Sequence, residues 1–79
     1  MDVIAYKEFE IKASPYQLVE SGNWSLKIYI THHKADETLE KSFSAAATFK
    51  TRDEAIPHCH NFGKRIIDGE VPGCTIADL

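Results

Sequence analysis

The residues with the most obvious capacity for chemistry lie in one short segment, His58-Cys59-His60, which Lys64 and Arg65 follow. Imidazole nitrogens and thiolates are typical zinc ligands, and a thiolate can also act as a nucleophile. The segment belongs to an amphipathic pattern, however, and successive residues of a helix point about 100° apart. His58 and His60 therefore lie on opposite flanks with Cys59 between them, so these three side chains cannot converge on one ion.

The remaining histidines and cysteines give little support for a site. A metal site that uses His32 or His33 is left open, but the pattern favours surface roles for the histidines. Cys59 falls on the apolar stripe of the helix, which predicts a buried and inert thiol, and Cys74 has no base near it in sequence. No phosphate-binding loop or nucleotide fingerprint is present. We therefore expect no enzymatic activity, no metal and no cofactor.

The helix that carries these residues is predicted over residues 52–68. Thr51 is a typical N-cap, and Glu54 three residues later completes a capping box. Gly69 provides the residue that ends a helix, whereas Pro57 predicts a kink or a looser first turn. The apolar stripe consists of Ala55, Cys59, Phe62 and Ile66.

The sequence before the helix alternates with the period of β-strands, which we expect at about residues 3–13, 24–31 and 38–46. The clearest run places Trp24, Leu26, Ile28 and Ile30 on one face and Ser25, Lys27, Tyr29 and Thr31 on the other. The fold class predicted for residues 1–79 is a single α+β domain, in the order β-β-β-α. A three-stranded antiparallel meander is covered on one face by a single C-terminal helix, and a short extended tail can follow.

Size and charge restrict the range of functions. The chain has 79 residues, and domains of this size often depend on a partner for part of their stability, so we expect a protein partner or a homodimer. The net charge of −3 disfavours nucleic-acid binding, which depends on cations that contact phosphates. No apolar stretch long enough for a signal peptide or a membrane span is present, so we expect no membrane association and a cytoplasmic location.

Several short motifs together resemble known proteins. They are Tyr6-x-x-Phe9, the turn Gly22-Asn23-Trp24, the segment Phe49-x-Thr51-Arg52-x-Glu54-Ala55 and the segment Arg65-Ile66-Ile67-Asp68-Gly69. This combination resembles a group of small bacterial proteins and is distantly similar to the HlyU-type family, described as transcriptional activators. The β-β-β-α order also resembles the core of double-stranded-RNA-binding domains, whose first helix is absent here. Those domains bind phosphates through basic residues at the start of the final helix, where this chain has the mixed segment 51–54. We therefore do not transfer RNA binding to it.

Two surfaces are candidates for binding a partner or a nucleic acid. The outer sheet face offers Lys12, Lys27 and Tyr29, since an aromatic ring flanked by lysines can stack on a base and hold phosphates. The outer side of the helix offers Lys64 and Arg65. The sheet also has two edges, and strand edges invite pairing. The sequence thus favours a non-enzymatic protein-interaction or assembly module, and the alternative is a nucleic-acid-binding regulator.

Overall fold

A computed structural model of the chain describes residues 2–79, in which one helix follows an antiparallel sheet of five strands. The elements are β1 Val3–Tyr6, β2 Phe9–Ala13, β3 Tyr16–Gln17, β4 Trp24–His33, β5 Thr38–Phe49 and α1 Arg52–Ile67. Strands β1, β2, β4 and β5 lie side by side in that order, and β3 pairs with the first residues of β4 on the β2 side. The predicted α+β class, with a sheet followed by a C-terminal helix, is confirmed.

The prediction of three strands is wrong, because the segment 3–13 is a hairpin rather than one strand. Tyr6 pairs with Phe9 across the turn Lys7-Glu8, and Lys7 has the left-handed φ of 54°. Neither turn residue is one that favours such a turn. A tertiary contact holds it instead, since Lys7 Nζ lies 2.5 Å from Asp68 Oδ1 at the end of the helix. The short strand β3 is a further element that the alternation did not predict.

A bulge interrupts the pairing between β4 and β5. Leu26 pairs with Ala45, but Ser25 pairs with Thr48, so residues 46–47 are extra in β5. Ser25, which alternation alone assigns to the outer face, is only 2% exposed there, and its Oγ donates to the Ala45 carbonyl at 2.8 Å. Both strands also run further than predicted, β4 to His33 and β5 to Phe49.

The helix begins and ends where local signals predict, within one residue. Thr51 Oγ1 accepts a hydrogen bond from the Glu54 amide at 3.1 Å, which confirms the N-cap. At the other end, the Gly69 amide donates to Ile66 and the Glu70 amide to Arg65, which is a Schellman motif. The helix continues through the exposed Pro57.

The core lies between α1 and the inner face of β2 and β4. Ile11, Ile28 and Ile30 supply fully buried side chains from the sheet, and the helix adds Cys59 and Ile66. The segment 70–79 follows the helix and packs apolar residues against the same core; these are Val71, Cys74, Ile76 and Leu79. No helix within residues 2–79 has the length and the apolar character that a membrane span requires.

Candidate functional site

The outer face of the sheet, on the side away from the helix, brings together three of the predicted site residues. Lys12 on β2 lies directly opposite Tyr29 on β4. Lys27 precedes Tyr29 by two residues on the same strand, and its Nζ lies 5.5 Å from the centre of the Tyr29 ring. Directly opposed residues share a face, so the two lysines flank one half-buried aromatic ring.

The same face becomes acidic towards the end of β4. Glu10 and Glu40 lie on either side of Thr31, and the Thr31 hydroxyl donates to Glu40 Oε2 at 3.4 Å. His33 Nε2 lies 2.6 Å from Glu10 Oε1. The positive charge of the outer face is therefore confined to the Lys12–Lys27–Tyr29 end.

The two basic residues of the helix belong to a different surface. Lys64 Nζ lies 5.6 Å from the centre of the Tyr6 ring, and the Tyr6 hydroxyl donates to Asp68 Oδ2 at 2.8 Å. This hydrogen bond raises the pKa of Tyr6, and the hydrogen bond from Lys7 holds the pKa of Asp68 below its usual range. Arg65 Nε lies 4.0 Å from a Glu70 carboxylate oxygen. The cations at this end thus stabilise the helix terminus and do not extend the basic part of the sheet face.

The segment 58–60 disperses as helical geometry predicts. Cys59 has no exposed surface, its Sγ lies 3.7 Å from the Lys27 carbonyl oxygen, and burial raises the pKa of its thiol. The His58 ring stacks on Phe49 with the ring centres 4.4 Å apart. On the opposite flank, His60 Nε2 lies 2.9 Å from the carbonyl oxygen of Asp2.

The histidines at the end of β4 do not form a metal centre with other ligands in the described part of the chain. Within residues 2–79 no three His, Cys, Asp or Glu side chains are placed to hold a metal ion. His33 contacts Glu10 and the Thr38 hydroxyl, whereas the His32 ring packs 4.8 Å from the ring of Phe9. These two side chains therefore have separate structural surroundings.

The outer edge of β5 is the feature that the sequence analysis did not locate. The direction of its backbone groups follows from one hydrogen bond, in which the Ser14 amide donates to the Lys27 carbonyl at 2.8 Å. Lys27 thus turns its backbone polar groups towards β2. These groups change sides from one residue to the next along an antiparallel strand, so every second residue points the same way. The backbone groups of Tyr29 and Thr31 therefore also point towards β2. The hydrogen bond from Ser25 Oγ to the Ala45 carbonyl, which faces β4, agrees with this assignment.

The residues of β5 opposite these positions turn their amides and carbonyls away from the sheet. They are Glu40, Ser42 and Ser44, which pair with Thr31, Tyr29 and Lys27 respectively. Within residues 2–79, no backbone hydrogen bond from another segment reaches this outer side of β5. The regular section from Thr38 to Ala45, before the bulge, is thus an open strand edge, and we call it the β5 edge.

The other edge of the sheet is less suitable for pairing. It is formed by β1, which has only four residues. The β5 edge is longer, contains no proline and carries charge only at Glu40 and Lys41. Long, open edges of this kind are templates for a further strand.

Comparisons with known protein families, with curated proteins and with solved structures find no match to this chain. A functional interpretation therefore depends on the two surfaces described above, the basic part of the outer sheet face and the β5 edge. Sequence reasoning identified the first through alternation. It missed the second because the lack of a neighbouring strand is a property of the assembled sheet.

Proposed function

We propose that this protein is a non-enzymatic protein-interaction module whose β5 edge accepts an extended strand from a protein partner. The observation that carries the proposal is the row of outward-facing backbone groups at Glu40, Ser42 and Ser44. Strand addition of this kind derives its affinity from main-chain hydrogen bonds and its specificity from alternate side chains.

The features of the β5 edge that can prevent pairing, one lysine and one bulge, leave most of the section from Thr38 to Ala45 open. Protective edges carry lysine, proline or a bulge along their length. Here the one lysine of the edge, Lys41, is opposite the buried Ile30, and its Nζ donates to the Thr75 carbonyl at 3.0 Å. The ammonium group is thus held by the C-terminal segment, and the bulge at 46–47 limits pairing only beyond Ala45.

The small side chains of the edge also favour a close approach. Ser42 and Ser44 are exposed and project little beyond the backbone. Each hydrogen bond that a partner strand forms contributes about 0.5–1.5 kcal/mol net. Several such bonds are needed to exceed the cost of association, and the outward groups between Thr38 and Ala45 can form them.

The test is a selection of peptides from a random library against the immobilised protein, followed by NMR mapping with a selected synthetic peptide. The peptide is expected to shift the amides of Ser42 and Ser44. A Ser44→Pro variant removes one outward amide and leaves the hydrogen bonds to β4 in place, so it should weaken binding. The matched control is Ser44→Ala, which retains the amide and should bind normally. Peptides that bind Ser44→Pro as well as the wild type, or that shift only residues distant from β5, would contradict the proposal.

We propose that the protein acts in the cytoplasm, the location expected from the sequence. Cys59 and Cys74 are both free thiols, which agrees with a reducing compartment.

A second candidate function is the binding of single-stranded nucleic acid on the outer sheet face. The observation in its favour is the placement of Lys12 and Lys27 beside the Tyr29 ring. The sequence motifs that resemble those of HlyU-type regulators led to the same candidate. A base stacked on an aromatic side chain contributes about 1–3 kcal/mol, and the lysines would contact phosphates.

Fluorescence anisotropy with labelled single-stranded oligonucleotides at low salt tests this second candidate. Tyr29→Ala and Lys27→Gln should weaken binding, and binding should weaken further as salt rises. Lys64→Gln is the matched control, since it removes the same charge from the helix surface. If Lys64→Gln reduces binding as strongly as Lys27→Gln does, or if no binding occurs at low salt, this candidate is ruled out.

A further inference from the structure

We infer that the strand which the β5 edge accepts is β5 of a second copy of this chain, paired antiparallel about a two-fold axis at Ser42. The inference rests on the proposed function, because it names the partner for the same edge. It follows from the register that the edge can adopt with itself.

The faces of the sheet restrict that register. When two β5 edges join antiparallel into one continuous sheet, directly opposed residues must share a face. The two-fold axis, which lies midway between the two strands, must therefore be level with one residue of β5. That residue then pairs with the same residue of the second copy. Each choice of central residue then determines which side chains face one another.

Charge eliminates two of the central positions. An axis at Glu40 places the two Glu40 side chains opposite each other, and an axis at Lys41 does the same with the two Lys41 side chains. Like charges directly opposed destabilise a strand pair. An axis at Ser42 opposes Ser42 to itself, and it places Glu40 opposite Ser44 of the second copy.

Backbone geometry favours the same centre. The outward direction of the Ser42 amide and carbonyl makes the central pair a hydrogen-bonded one, with Glu40 and Ser44 forming the next pairs on either side. An axis further along β5 would shorten the paired section, because the bulge at 46–47 interrupts the edge. The Ser42 axis therefore gives the longest pairing that opposes no like charges.

The inner face of the edge fits this arrangement as well. Leu39 and Ala45 are half-buried. In this register, Leu39 of each copy lies opposite Ala45 of the other copy. On this face α1 lies mainly over β2 and β4, and the C-terminal segment reaches β5 at Lys41, whose Nζ donates to the Thr75 carbonyl. The joined sheets would bury apolar surface that a single small domain leaves partly exposed.

Cysteine cross-linking tests the register directly. In a Cys74→Ser background, Ser42→Cys is expected to form an intermolecular disulfide under mild oxidation. The two Cα atoms of a central hydrogen-bonded pair lie about 5.5 Å apart, which suits a disulfide. The matched control is Ser44→Cys, whose two copies would lie roughly 13 Å apart along the strands and should not cross-link. Light scattering should give twice the chain mass for the wild type, and Ser42→Pro should raise the dimer dissociation constant about tenfold or more.

The outcomes separate this inference from the function on which it rests. A monomeric wild type, or equal cross-linking of Ser42→Cys and Ser44→Cys, overturns the two-fold pairing. If peptides still bind the β5 edge in that case, the proposed function stands with a different partner. If Ser42→Pro leaves the dimer intact and Ser44→Pro leaves peptide binding intact, both the two-fold pairing and the proposed function are overturned. Circular dichroism of each proline variant establishes that the sheet is retained.

Discussion

At Gly63 the helix lies directly against the sheet residue Ile11. A Cβ atom at Gly63 would lie 2.6 Å from Ile11 Cγ2 and 2.9 Å from Ile11 Cδ1. Ile11 has no exposed surface, so its side chain has little space in which to move. The absence of a side chain at Gly63 therefore sets the distance between α1 and β2.

Gly63→Ala should lower the free energy of unfolding by about 1–3 kcal/mol, because the added methyl group overpacks the core. Urea denaturation measures this loss. Combining it with Ile11→Ala, which provides space for the methyl group, should give less than the sum of the two single losses. Strictly additive losses would show that the contact with Ile11 is not the cause.

The two cysteines should differ in reactivity, because only Cys59 is fully buried. Its raised pKa and its lack of exposed surface both reduce the thiolate available to a reagent. We expect a thiol reagent to label Cys74 first in the native protein and to label both cysteines in denaturant. A Cys74→Ser variant serves as the control and should react slowly when folded. Fast labelling of that variant would show that Cys59 is accessible.

Among the elements, the helix contains one residue that opposes its own structure. Pro57 lies in the interior of α1 and lacks the amide that would donate to the Asp53 carbonyl. Its side chain is exposed, so no core contact compensates for the missing bond. The helix therefore forms because its caps and its buried face outweigh this defect.

Pro57→Ala should raise the melting temperature, since proline costs up to about 3 kcal/mol relative to alanine inside a helix. Part of this gain is offset because proline also restricts the unfolded chain. Pro72→Ala is the control, since Pro72 lies outside the helix and should change stability little. A Pro57→Ala variant that melts at or below the wild-type temperature contradicts this account.

The strands show how far sequence reasoning extends at the level of elements. The alternation in β4 and the capping signals of α1 are local, and they were predicted nearly at their true bounds. The hairpin of β1 and β2 was missed, although one signal was present. The inward apolar residues change from even positions, Ile4 and Tyr6, to odd ones, Phe9 and Ile11, on crossing the turn. The tertiary contact of Lys7 with Asp68 that holds this turn spans most of the chain.

At the scale of the whole molecule, three aspartates form ion pairs between segments that are distant in sequence. The pairs are Asp2 with Arg52 at 2.6 Å, Asp68 with Lys7 at 2.5 Å and Asp78 with Lys41 at 3.2 Å. Asp2 connects the N-terminal segment to the helix, Asp68 connects the helix end to the β1–β2 turn, and Asp78 connects the C-terminal segment to β5. The hydrogen bond from each cation lowers the pKa of its aspartate.

Acid should therefore loosen all three connections. Because the native pKa values are lowered, these pairs stabilise the fold fully above the unfolded aspartate pKa of about 3.9. Their contribution is lost as the pH falls from that value through the lower native pKa values. Thermal denaturation between pH 7 and pH 2 measures the loss, and Asp68→Asn should show a smaller decrease than the wild type. Asp36→Asn, in the β4–β5 turn, is the control and should follow the wild type. An unchanged decrease in Asp68→Asn would contradict the role of this pair.

The sequence by itself determined the features that arise from neighbouring residues. Helical phase placed Cys59 inside and the two histidines on the flanks, and alternation placed Lys12, Lys27 and Tyr29 on one face. These features depend on backbone geometry that repeats every two or 3.6 residues, so a short window contains all the necessary information.

Only the tertiary structure decided which strand has an open edge and which cations remain available. Lys64 lies over the ring of Tyr6, which the topology brings to the helix terminus, whereas Arg65 lies near Glu70, a neighbour in sequence. Within residues 2–79, one side of β5 is open because β1, β2 and β3 all lie on the other side of β4. Strand order depends on pairings between distant parts of the chain, and no local pattern encodes the absence of a neighbour. For that reason, the surface that we propose as the binding site can be recognised in the assembled sheet but not in the sequence.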